Sequence, residues 1–157
     1  TQGIWRRRPG RAGHVRLIVD TGPIVAQAER FHPYKAAARR ILLSEPEVPI
    51  LSPMMAAEID YFLTRRAGVG GNRTFLRDLA AARYEVPCLE PAGYLAADTL
   101  NDRYAALNTG LADLSIVILA ARYRTNRILT FDQRHFRLLR PIQGGTFTLL
   151  PFDTPAS

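Results

Sequence analysis

Cysteine, lysine and long apolar runs are what this chain has least of. One of its 157 residues is cysteine, Cys88. No disulfide can therefore close within it, a Cys-rich zinc site is excluded, and a reducing, cytoplasmic setting is expected. No uninterrupted apolar stretch approaches the about 18 residues of a membrane-spanning helix. The apolar run after Arg16 is broken by Asp20 and lacks a small-residue cleavage site, so no secretory signal is expected. Internal repeats and low-complexity blocks are absent. What remains is ordinary for a globular protein: 47% hydrophobic and 22% charged residues, which exclude wholesale disorder. The length suits one domain with its own core.

The charge is uneven. The formal net charge is +7, from 21 basic and 14 acidic residues. Arg6, Arg7, Arg8, Arg11 and Arg16 crowd the first 16 residues, which hold no acid; without those five, 16 basic groups face 14 acidic ones. The basicity thus belongs mainly to residues 1–14, which lack hydrophobic periodicity and read as a flexible basic tail or start-site extension, with a nucleic-acid-binding arm as the functional alternative. All basic residues but Lys35 are arginine. Guanidinium forks suit phosphate, and a compositional bias is the plain alternative.

From Val15 to Pro151 short β-branched runs alternate with helical stretches. Strands are expected at Leu17–Val19, Val48–Leu51, Tyr84–Pro87, Arg127–Thr130 and Thr146–Leu150. Helices are expected over 33–43, 53–67, 72–82, 91–104 and 112–123, with Ser52 as an N-cap, Pro53 in the first turn and Gly68 as a stop. The run Leu114–Leu119 has strand propensity, but it must supply the crossover to the strand at Ile128, so it reads as helix. Strands alternating with helices imply an α/β layered fold with a mostly parallel sheet. Residues 152–157 read as a C-terminal tail.

The informative feature is the placing of four acids. Asp20 ends the first strand, Glu58 lies in the early turns of the helix after the second, Asp113 opens the most apolar helix, and Asp132 follows the Arg127–Thr130 strand. Gaps of 38, 55 and 19 residues mean that only folding can gather them. All fall near carboxyl ends of strands, the ligand-binding edge of an open parallel sheet. Each also has a plain reading: Asp20 and Asp132 as turn residues, Asp113 as a helix-start charge, Glu58 as a solvated helix charge. Gathered together, such carboxylates repel unless a cation neutralises them. Mg²⁺ or Mn²⁺ suits oxygen ligands and could activate water against a phosphodiester.

With Leu17-Ile18-Val19-Asp20-Thr21, Ala57-Glu58, Ala112-Asp113 and Ile128 to Phe136 in that order, the chain resembles PIN domains, most of all the VapC toxins of bacterial toxin–antitoxin pairs. The resemblance spans about Val15 to Pro151. It implies a three-layer α/β/α sandwich in which the Leu17–Val19 and Arg127–Thr130 strands lie side by side. It also implies an Mg²⁺- or Mn²⁺-dependent endoribonuclease, with Asp20, Glu58, Asp113 and Asp132 at the metal and Thr130 as a nearby catalytic hydroxyl; Thr21 could play a similar part. Many relatives place serine after Asp-Thr, where this chain has Gly22, so a hydroxyl is missing there. Homodimerisation and a cognate VapB antitoxin are implied too. A groove for the antitoxin could come from Ile59, Tyr61, Phe62 and Leu63 with Phe75, Leu76 and Leu79, core packing being the competing role. For RNA, the candidates are Arg65, Arg66, Arg73, Arg134 and Arg137, with Tyr61, Tyr104 and Tyr123 for stacking and His135 as a general acid; packing is the default for the tyrosines and the histidine.

Two other classes compete. An Asp20-dependent phosphatase of the haloacid-dehalogenase type would carry a second Asp at position 22, where glycine stands. A non-catalytic RNA- or partner-binding protein would not need all four acids.

Overall fold

A computed structural model describes residues 14–153. The expectations for residues 1–13 and 154–157 fall outside the described residues. The chain runs β1 (Leu17–Val19), α1 (Thr21–Ala28), α2 (Lys35–Ser44), β2 (Ile50–Leu51), α3 (Pro53–Ala67), α4 (Arg73–Ala80), α5 (Pro91–Arg103), α6 (Leu111–Arg122), β3 (Arg127–Leu129), α7 (Gln133–Leu138) and β4 (Thr148–Leu150). The strands form a parallel sheet in the order β2-β1-β3-β4, covered by helices as a three-layer α/β/α sandwich. No described helix is long and apolar enough to cross a membrane.

The sheet is the centre of the core because its strands are apolar on both faces, as parallel strands under two helical layers must be. Leu17, Ile18, Val19, Ile50, Leu51, Ile128, Leu129 and Leu149 are at most 1% exposed. Helix α6 is buried from Leu114 through Ala120, so its β-branched residues sit in a helix because tertiary packing overrides propensity. Ser52 caps α3 by accepting the Met54 N–H, Pro53 occupies the first turn and Gly68 ends the helix, all as the residue types dictate. The Ser52 hydroxyl also meets the Ser115 hydroxyl of α6 at 2.5 Å, and both residues are fully buried. One hydrogen bond thus fixes the start of α3 against α6.

Two expectations need correcting. Residues 84–87 form no strand: Glu85 alone bridges to Ile50, exchanging backbone hydrogen bonds with Pro49 and Leu51. Pro87, which lacks an N–H, cannot extend that ladder. Helix α7, which follows Asp132, was not anticipated; its apolar signal is the buried Phe136 alone within six residues, too short a segment for periodicity to reveal.

Candidate functional site

Chain order places β1 and β3 at the centre of the sheet, with β2 on one side and β4 on the other. The connections therefore leave β1 and β3 in opposite directions, and the crevice at their carboxyl ends is the topological switch point. Asp20 stands where β1 ends and Asp132 three residues past β3, on the same edge. The Asp20 N–H donates to Leu129 O at 2.9 Å, extending the β1–β3 ladder to the lip of the crevice. Helix α3 carries Glu58 to it from the second strand, and the first turn of α6 carries Asp113.

Asp20, Glu58, Asp113 and Asp132 all line one cavity of about 580 Å³. Two threonines lace three of them together. The Thr21 N–H donates to Asp20 Oδ1 at 2.7 Å, and the Thr21 hydroxyl donates to Glu58 Oε2 at 2.5 Å. The Thr130 hydroxyl donates to Asp20 Oδ2 at 2.6 Å and accepts the Asp132 N–H at 2.9 Å. Thr130 is fully buried, so this bridge is shielded from water. Asp20 and Asp132 also cap α1 and α7, which means that the turn reading and the site reading of these residues describe the same positions.

Crowding and burial act on the charges. Burial pushes Asp20 up to about 6, against the hydrogen bonds from Thr130 and Thr21; the nearby Asp113 and Glu58 charges add to the rise. Burial likewise raises Asp113, with Asp132 and Glu58 adding and His135 opposing. The His135 ring lies 2.8 Å from Asp132 Oδ2, and that hydrogen bond raises the imidazole above its ordinary value. His135 is thus a partner of Asp132.

Among the described residues, no group of three or more His, Cys, Asp or Glu side chains is arranged to hold a metal ion. Both oxygens of Asp20 and both of Asp132 are taken by protein donors, and Glu58 leans on Thr21. The donor set nevertheless suits a hard divalent cation: four carboxylates, two of them raised above their usual range chiefly by burial and further by one another's charge, with hydroxyls beside them.

The rest of the cavity lining is of another kind. His32 and Phe131 contribute to it, their rings stacked at 4.7 Å and 11° apart, with Phe62 and Val25. At its rim Arg66 pairs with Glu29. His32, Val25 and Glu29 escaped the sequence reading, Phe62 was expected in the antitoxin groove and Phe131 only as part of a motif; a signal for the ring's packing was the glycine at position 22, where a Cβ would stand 3.3 Å from Phe131 Cδ2. Of the expected RNA-contacting arginines, Arg66 reaches the cavity. Arg65 lies over the exposed Tyr61 and Arg137 pairs with Asp153. Tyr123 bonds to Glu85 and the Tyr104 hydroxyl accepts the Arg140 N–H, so both are engaged in packing. Ile59, Leu63 and Phe75 belong to the core, whereas Tyr61 and Leu76 are about half exposed; the expected groove is therefore reduced to its outer residues.

A family model described as PIN domain matches residues 17–140. The chain is 38% identical over 135 residues to Ribonuclease VapC26 of Mycobacterium tuberculosis, a match covering 86% of this chain and 100% of that protein. Among solved structures it resembles the crystal structure of Mycobacterium tuberculosis VapC20, a sarcin–ricin loop cleaving toxin, with a TM-score of 0.68 over 75% of this chain and 91% of the other. At 17% identity, that likeness is one of fold.

Proposed function

The chain belongs to the PIN-domain family, and from that membership we propose that it is a VapC-type toxin, an endoribonuclease that hydrolyses RNA phosphodiester bonds with the help of a divalent metal, Mg²⁺ or Mn²⁺. The observation that carries the reading is the meeting of Asp20, Glu58, Asp113 and Asp132 on one cavity at the switch point. In this proposal those four carboxylates hold the ion. When bound, the ion supplies positive charge to the scissile phosphate and acidifies a water for in-line attack. Thr130 orients Asp20 relative to Asp132, and Thr21 orients Glu58 relative to Asp20, through the hydrogen bonds described above. A bound ion would offset the mutual repulsion of the acids. The proposal includes a VapB-type antitoxin and a second copy of the chain as partners, and the cytoplasm as the compartment.

The test is cleavage of a structured RNA with and without Mg²⁺ or Mn²⁺. Metal-stimulated cleavage is expected from the wild type. In Asp20→Asn it should fall roughly 100-fold or more, because losing a metal ligand removes several kcal/mol of transition-state stabilisation. Cleavage undiminished in Asp20→Asn would overturn the metal site, and no cleavage by the wild type would favour a non-catalytic binding role.

A further inference from the structure

The cavity lining combines two chemistries, and the four acids supply one. In the other, His32 lies flat on Phe131 at a ring separation of 4.7 Å, and both line the cavity. Tyr34 leans on Phe131 at 5.6 Å and on Phe152 edge-on at 4.9 Å, so the stack is braced from outside. Phe131 directly precedes Asp132, so the stack is tied to the acidic wall by one peptide. Gly22 is the counterpart on α1: even a methyl group there would press on the Phe131 ring, and the missing side chain is what lets the ring sit close. The flanking guanidinium, Arg66, is paired with Glu29, which also lines the cavity. Arg66 rests over Phe62 at 5.3 Å beside the cavity, and Arg30 covers the ring of Phe31, which is 82% exposed.

We propose that the His32–Phe131 stack, seated by Gly22, is a nucleobase subsite that receives the unpaired RNA base next to the scissile phosphate. The inference rests on the ribonuclease reading and adds to it the residues that receive and select a base. Two parallel rings open to a cavity are extended by a third flat ring, and a base held there places its own backbone phosphate toward the acids that begin one residue after Phe131. Stacking needs the base out of a duplex, so the substrate is single-stranded or looped RNA. Arg66, paired with Glu29 in the free protein, is the guanidinium that would exchange this carboxylate for a backbone phosphate at the rim.

The experiment uses the full chain, Mn²⁺ and a randomised single-stranded RNA library whose cleaved ends are sequenced, followed by steady-state kinetics on one cleaved sequence and on its copy with an abasic residue beside the cut. The wild type should show a base preference at that position and lose affinity for the abasic copy. In His32→Ala, KM should rise roughly tenfold with kcat little changed, the size of effect that one lost base–ring stack produces. The base preference should flatten and the abasic penalty vanish, while His32→Phe restores both. Matching thermal melts establish that the variants are folded. If His32→Ala keeps the wild-type KM, end profile and abasic penalty, the subsite is overturned and the aromatic face is left to a protein partner. If the wild type cuts no RNA, the ribonuclease reading itself falls, and the subsite with it.

Discussion

Asp20 is under two opposed influences. It is 7% exposed beside two other acids, yet it accepts hydrogen bonds from Thr21 and Thr130. Burial dominates, and the carboxyl is pushed up to about 6 from its usual 3.8. An acid whose folded value is raised favours folding while protonated; that contribution is full below about pH 4 and is lost as pH rises through about 6. Replacing Asp20 by Asn removes the titration. The stability of Asp20→Asn relative to the metal-free wild type should therefore grow by on the order of 3 kcal/mol between about pH 4 and about pH 7.5. Urea unfolding in chelator at the two pH values measures it, and a gap independent of pH would refute the account. Gly22 belongs to the same scale. On a family pattern it registers only as a missing hydroxyl, and its packing reason, the Phe131 ring, lies 109 residues away in the chain.

Helices α3 and α6 hold Glu58 and Asp113, and their mutual position decides whether these acids meet. The buried Ser52–Ser115 contact fixes it at one end. Ser52→Ala removes the α3 cap and leaves Ser115 without that partner, so stability should fall by about 2 kcal/mol, read as a lower midpoint of thermal or urea unfolding. Ser52→Thr, which keeps a hydroxyl, should retain the cap but crowd a fully buried position, and so fall between the two. The cap was legible in the sequence because Ser-Pro before an apolar run is a local signal. The crossing to Ser115 was not, because it joins residues 63 apart. For the same reason residues 84–87 looked like a strand: β propensity is local, whereas a sheet edge accepts only as much pairing as the neighbouring backbone can donate.

At the scale of the whole molecule, the cavity stores repulsion among like charges that a cation would relieve. Mg²⁺ or Mn²⁺ should raise the melting temperature, equivalent to about 3 kcal/mol at a concentration 100 times the dissociation constant. The rise should be larger at about pH 8 than at about pH 5.5, because protons compete for Asp20. Chelator should abolish it, and Asp20→Asn should blunt it. Differential scanning calorimetry across a metal titration checks all of these, and an equal shift in Asp20→Asn would place the ion elsewhere.

The alternation of strands and helices apart from residues 84–87 and α7, the cap and stop of α3, and the nomination of Asp20, Glu58, Asp113 and Asp132 came from the sequence alone, since each depends on residue types and short spacings that act locally. Tertiary structure decided that the four acids share one cavity, that Thr21 and Thr130 lace three of them, and that an aromatic stack and Arg66 line it beside them. Those relations join residues far apart in the chain, and only the β1–β3 switch point, where two crossovers diverge, brings them within reach of one another.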